Sequence, residues 1–248
     1  MLLAAAEDKF YQCCRQYAAT NTGFLDLRQR AMVERLCAAL RGSAPEATCF
    51  FYGGYEDAER TIALFLPDYA SLEESHPIAV IRVTLPPGSR RLAHGDYLGS
   101  LTGLGIKREK IGDILTCETG ADILVLEEIR DFLLYNYHTA GRTSIKTQAV
   151  PLRELRTPQV STTEQKDTVA SLRLDNVIAS AFSLSRIKAA QAIRTGMVFV
   201  NSLQAEKPDM QVREGDKLVL RGKGKAYLRQ VGQRTRKDRI FIVTERHL

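Results

Sequence analysis

Between Arg173 and Leu220 the apolar spacing switches from a helical period to a strand period, and no other feature of the chain restricts its fold as sharply. In SLRLDNVIASAF, Leu174, Val177, Ile178 and Ala181 recur at i, i+3, i+4 and i+7, which predicts a helix with one buried stripe. A second helix is expected over LSRIKAAQAIRTG, with Ser185 as N-cap and Gly196 as the left-handed residue that ends it. After Gly196 the period becomes two in MVFVN. A turn is expected at Asn201-Ser202, and the strand KLVLR follows the Gly215-Asp216 turn. A helix pair leading into a small twisted sheet satisfies the whole stretch.

Arg186 and Lys188 fall in the first turn of the second helix, where the macrodipole makes each cation cost roughly 0.3–1 kcal/mol at an exposed site. With the unpaired N–H groups of that turn they form an anion site, and phosphate is the natural anion. Ala189 and Ile193 lie one turn apart and face the first helix, whereas Lys188, Gln191 and Thr195 point the other way. The competing reading makes Arg186, Lys188 and Arg194 an ordinary solvated face. For basic residues on a helix that reading is the usual one; the charge is nonetheless asymmetric, since residues 169–248 hold 16 Lys/Arg against 7 Asp/Glu, whereas residues 1–168 hold 19 against 22.

With 248 residues the chain is expected to form two or three compact units. Cys13, Cys14, Cys37, Cys49 and Cys117 are scattered and include no C-x-x-C pair, so neither a disulfide framework nor a zinc site is expected. MLLAAAEDKF has no positive segment ahead of its apolar start, and no apolar run approaches the length of a membrane span. A cytoplasmic protein without membrane contact is expected, and a monomer.

The expected fold class is α+β. Residues 1–47 form a helical segment, since Phe10, Cys13, Cys14 and Tyr17 repeat at helical spacing and FLDLRQRAMVERLCAAL resumes the pattern after TNTG. Residues 48–151 read as a strand pair (TCFFYGG, TIALFLP) followed by strand, helix, two strands, helix and strand, the order of a ferredoxin-like or RNA-recognition-motif-like domain. Its candidate strands carry Ile and Leu where base-stacking aromatics would stand. Residues 152–168, polar with Pro158 inside, are expected as a linker, and 169–248 as the basic domain. Within that domain RGKGK (221–225) and GQRTRKDR (232–239) are expected as basic loops that follow a phosphate backbone.

Catalytic patterns are missing. His76, His94, His138 and His247 show no H-E-x-x-H spacing, and neither G-x-S-x-G nor a phosphate loop occurs. Arg173-Leu174-Asp175 echoes the catalytic aspartate setting of pseudouridine synthases, but the continuation Asn176-Val177-Ile178-Ala179 is the buried side of a helix. Asp175 is therefore expected as an exposed helix-start residue. No catalytic residue, metal or cofactor is assigned.

The segments R173-L-D-N-V-I-A, S185-R-I-K-A-A-Q-A-I-R-T-G-M-V-F-V-N and G215-D-K-L resemble the RNA-binding domain first defined in small-subunit ribosomal protein S-four. Together with FLDLRQRA (24–31), HGDYLGSLTGLGIKREKIGDI (94–114) and GRTSIK (141–146), they make nearly the whole chain resemble the bacterial YlmH family, also known as RqcP ribosome quality control factors. The family usually reads F-L-D-P-R and H-R-D where this chain has Leu27 and Gly95, so a contact through an arginine after His94 has no counterpart here. The resemblance implies a non-enzymatic factor on the stalled large ribosomal subunit, bound to its rRNA and to peptidyl-tRNA. There it would support a partner that adds untemplated alanines to the trapped chain. It also implies that Arg173, Ser185, Arg186, Lys188, Gln191 and Arg194 hold RNA backbone, with Asn201 shaping the turn and Lys207 adding a contact. Two alternatives are an RNA-modifying enzyme of pseudouridine-synthase type and a regulatory RNA-binding protein.

Overall fold

The computed structural model describes residues 1–40, 47–56, 58–157, 162–201 and 203–247. Its chain divides into two compact units, Met1–Pro158 and Gln159–Leu248.

The first unit runs α1 (Leu2–Gln16), β1 (Thr20–Asn21), α2 (Leu27–Leu40), β2 (Ala47–Tyr52), β3 (Ile62–Pro67), α3 (Leu72–Ser75), β4 (Ile78–Thr84), α4 (His94–Gly103), β5 (Ile111–Cys117), β6 (Gly120–Leu126), α5 (Arg130–Asn136), β7 (Thr139–Ala140), β8 (Thr143–Ser144) and β9 (Lys146–Val150). The family-like segment FLDLRQ opens α2 by reciprocal capping. Gln29 N–H donates to Asp26 Oδ1 at 2.8 Å, and Asp26 N–H donates to Gln29 Oε1 at 2.9 Å. Asp96 works similarly at α4, accepting the Ala93 N–H at 2.9 Å.

The expected ferredoxin-like arrangement is present in an antiparallel sheet of order β5-β6-β4-β9. Ala79, Ile81, Val83, Ile123 and Val125 face α4 and α5 with Tyr97, Leu101 and Leu133. The strand pair after residue 47 belongs elsewhere. β2 and β3 join β1 in a separate sheet of order β1-β3-β2, and Ala63 and Phe65 pack on Phe10 and Cys13 of α1. On the opposite face of β3, Ile62, Leu64 and Leu66 meet Ile78, Leu115, Leu124 and Leu126. The two sheets thus stack between two helical layers, and β3 is apolar at every position because both of its faces are covered. Gly112 permits this approach, since a Cβ there would meet the Phe24 ring at 2.7 Å.

The second unit runs β10 (Thr162–Val169), α6 (Leu174–Ala181), α7 (Arg186–Arg194), β11 (Val198–Val200), β12 (Leu203–Gln204), β13 (Lys217–Leu220), β14 (Gly224–Arg234) and β15 (Ile240–His247). Its six strands form one sheet of order β10-β15-β14-β13-β11-β12. The expected linker is corrected here: Thr162–Val169 pair in register along β15 from His247 to Ile240. Its polar composition reflects an exposed edge strand, where charges discourage further pairing. Residues 158–161 of that expected linker, like Ser202 of the expected turn, lie outside the described residues. Gly232–Arg234, expected in a loop, continue β14, so the open turn is confined to 235–239.

Candidate nucleic-acid interface

Leu174, Val177, Ile178 and Ala181 are all fully buried against Ala189 and Ile193 of α7, as the helical spacing required. Ser185 caps α7, its Oγ accepting the Lys188 N–H at 3.3 Å, and Gly196 takes φ +72 after the helix.

The charged residues do not all behave as the spacing implied. Asp175 is 4% exposed, because the 207–212 segment crosses the start of α6. In that crossing, Leu174 N–H donates to Met210 O at 2.7 Å and Asp175 N–H to Pro208 O at 3.0 Å. The buried carboxylate accepts from Arg173 Nε and Nη2 at 3.2 and 3.1 Å and from Arg186 Nε at 3.2 Å. Burial works to raise the Asp175 pKa, yet hydrogen bonds from Arg173 and Arg186 and their charges outweigh it and hold the group below its ordinary value. Arg186 is therefore tied to a carboxylate rather than unneutralised in the first turn of α7. Lys188 alone fits that expectation: it is exposed, with no ion pair among the described residues.

Helical geometry explains the difference. At 3.6 residues per turn Arg186 lies about 20° around the axis from Ile193, on the side that meets α6. Arg194, Ile187, Gln191 and Lys188 follow one another around the outer arc. Gln191 and Arg194 are exposed there, and Ile187 is 81% exposed. Lys207 is exposed in the segment that covers Asp175. Asn201 has a different job. At φ 49 its Nδ2 donates to Asp216 Oδ1 at 2.8 Å, and its Oδ1 accepts the Lys217 N–H at 2.9 Å, so its side chain is occupied by the turn. Arg221 stacks over Phe199 at 5.1 Å, and at the end of β14 Arg234 pairs with Asp238 at 2.5 Å, while Arg236 and Lys237 are exposed in the open turn.

The ferredoxin-like sheet offers no comparable surface on the side where an RNA-recognition motif stacks bases. That side of β4 and β6 carries Ile78, Arg82, Asp122, Leu124 and Leu126, and the apolar members lie under β3. Asp122 is fully buried between Arg82 at 2.8 Å and Arg156 at 2.6 Å. Burial acts to raise its pKa, but hydrogen bonds from both arginines bring it down to about 2. In the GIKREK segment, Arg108 Nη1 donates to the Ile111 and Gly112 carbonyls at 2.5 and 3.2 Å, and burial lowers its pKa to about 10. Those arginines are taken up by carboxylate and carbonyl oxygens of this sheet and of the segment beside it.

Residues 72–154 match the family described as "Putative RNA-binding domain in YlmH", and residues 172–218 match the S4 domain. Ribosome-associated protein quality control protein P2 of Bacillus subtilis is 35% identical over 232 residues, covering 93% of this chain and 88% of that protein. The chain belongs to the YlmH family. At the level of fold, cell division protein YlmH from Streptococcus pneumoniae superimposes with a TM-score of 0.50 at 21% identity, over 62% of this chain and 93% of that one. The YlmH domain boundary falls after β3, in line with the separate sheet that β2 and β3 form. Among the described residues no helix is long and apolar enough to cross a membrane.

Proposed function

We propose that this chain is a non-enzymatic RNA-binding factor of ribosome-associated quality control, acting in the cytoplasm on the large ribosomal subunit that still carries peptidyl-tRNA. It supports a partner that extends the trapped chain with untemplated alanines. The observation that carries this reading is the likeness to the Bacillus subtilis quality control protein over 93% of this chain, and the basic helix pair of the S4 match supports it.

Arg173 and Arg186 are oriented by a shared buried carboxylate, while Lys188, Gln191 and Arg194 stand on the open side of α7. Such groups fix position along a phosphate backbone, and RNA shape supplies selectivity. Ser185 contributes through its cap, Asn201 through its turn, and Lys207 through an added cation.

Sedimentation with free large subunits, whole ribosomes and polysomes tests the reading. Co-sedimentation is expected with free large subunits carrying peptidyl-tRNA. With about six phosphates neutralised, affinity falls on the order of a thousandfold from low to moderately raised salt. Equal binding to all three fractions, or none, would overturn it.

A further inference from the structure

A polar groove of 360 Å³ lies between β10, α6 and the start of α7. Arg186 and Arg239 both line it, together with Asp167, Thr168, Asn176 and Ser180. Asp167, Thr168 and Arg239 fall outside the 172–218 stretch that matches the S4 domain, so this groove combines the helix pair with the additional strands of the chain.

Arg239 is held without being neutralised. Its Nε donates to Thr168 Oγ1 at 2.9 Å and its Nη2 to the Thr168 carbonyl, both uncharged acceptors. It makes no ion pair among the described residues, so its charge and its remaining N–H groups are available to an anion. Asp167 introduces an opposite charge. Its Oδ2 accepts from Ser180 Oγ at 2.6 Å and its Oδ1 from the Thr168 N–H at 2.6 Å. Asn176 donates from Nδ2 to Ser171 Oγ at 2.8 Å, which leaves its Oδ1 as an acceptor without a protein partner among the described residues.

Cations beside acceptors suit a ligand that brings both a phosphate and a hydroxyl donor. The arginines suit the phosphate and the acceptors suit the hydroxyl, and a DNA strand lacks the 2′-hydroxyl that would donate beside each backbone phosphate. We propose that this groove is a ribose-phosphate subsite for RNA: Arg186 and Arg239 take a backbone phosphate, and the neighbouring 2′-hydroxyl donates to Asp167 or Asn176. The subsite rests on the RNA-binding reading of the second unit, and it gives that unit a means to prefer RNA over DNA.

Fluorescence anisotropy of the full chain, with a labelled RNA hairpin carrying a single-stranded tail and its all-deoxy counterpart, tests the proposal. Arg239→Gln is expected to weaken RNA binding about tenfold and to lower the salt slope by about one. Arg239→Lys, which keeps the charge, is expected to keep the slope, and a thermal melt confirms that both variants fold. Asp167→Asn keeps one oxygen for the Thr168 N–H, replaces the oxygen that Ser180 uses by an NH2 donor that the Ser180 hydroxyl can turn to accept, and is expected to narrow the preference for RNA over DNA. Parent-like binding by Arg239→Gln while Lys188→Ala still weakens binding would overturn the subsite and leave the helix-pair reading standing. Equal effects of Asp167→Asn on RNA and DNA would overturn it as well. A parent chain that binds no RNA would overturn both.

Discussion

The Arg186 guanidinium donates to the buried Asp175 carboxylate at 3.2 Å, across the junction of two helices and from a residue eleven positions away. Arg173 reaches the same carboxylate, so two cations share one anion. Charge alone would be better served by removing Asp175. Its carboxylate fixes the direction in which the two guanidinium planes point, which is what the proposed backbone contact requires.

Asp175→Asn separates direction from charge. The variant gains a net positive charge yet loses the fork that aligns both arginines, so RNA affinity is expected to fall about tenfold. Stability is expected to drop by about 1–2 kcal/mol, less than for a fully buried pair because Arg173 and Arg186 are 36% and 56% exposed. Anisotropy and urea denaturation read the two effects. Tighter RNA binding by the variant would show that charge, not alignment, governs contact.

Single alanine variants at the two cations of α7 are expected to change stability in opposite directions. Lys188→Ala relieves an unpaired charge at the positive end of the helix and should gain about 0.3–1 kcal/mol. Arg186→Ala leaves Asp175 with only Arg173 and should lose about 1 kcal/mol. Both should bind RNA more weakly. An unchanged or higher denaturation midpoint for Arg186→Ala would mean that the Arg186–Asp175 contact contributes nothing to the fold.

The helix pair was legible because burial dictates spacing: Val177, Ile178, Ala189 and Ile193 all sit where the period put them. The same arithmetic placed Arg186 beside Ile193, and reading only the apolar stripe hid that clue. Asp175 could not be recognised as buried, since the strap over it comes from residues 207–212, far along the chain and without a period of its own. Order along the chain revealed the ferredoxin-like sheet. It did not reveal that β2 and β3 form a second sheet laid across it, although the unbroken apolar run Ile62–Pro67 is what a strand covered on both faces requires. β10 was lost to its polarity, because an edge strand facing water has the composition of a linker.

Asp122 should make the first unit sensitive to acid. Its folded pKa of about 2 lies below the model-compound value of 3.8. Its contribution is therefore complete above the unfolded value and is lost as pH falls from there through the folded one. The depression corresponds to about 2 kcal/mol. Asp122→Asn removes that contribution at neutral pH and leaves Arg82 and Arg156 without their anion, at a cost of about 3 kcal/mol. Urea midpoints at neutral and acidic pH should converge for parent and variant as the solution is acidified. A gap that stays constant down to the folded pKa would show that the ion network is not what the carboxylate stabilises.

Leu27 occupies the first position of α2, directly after the Asp26 cap, where proline is favoured because that N–H has no helical partner. The capping bonds use Asp26 N, Asp26 Oδ1 and Asp26 O, none of which involves the Leu27 N–H. The extended backbone that proline imposes on the preceding residue is the one an N-cap normally adopts. Leu27→Pro should accordingly restrict the unfolded chain and stabilise the first unit by about 0.4–1 kcal/mol, read as a higher thermal midpoint with RNA affinity unchanged. The side chain is half-buried, so truncating it to a ring gives up some apolar contact. A lower midpoint would show that this contact outweighs the gain in chain entropy and that leucine is the better residue for this N-terminus.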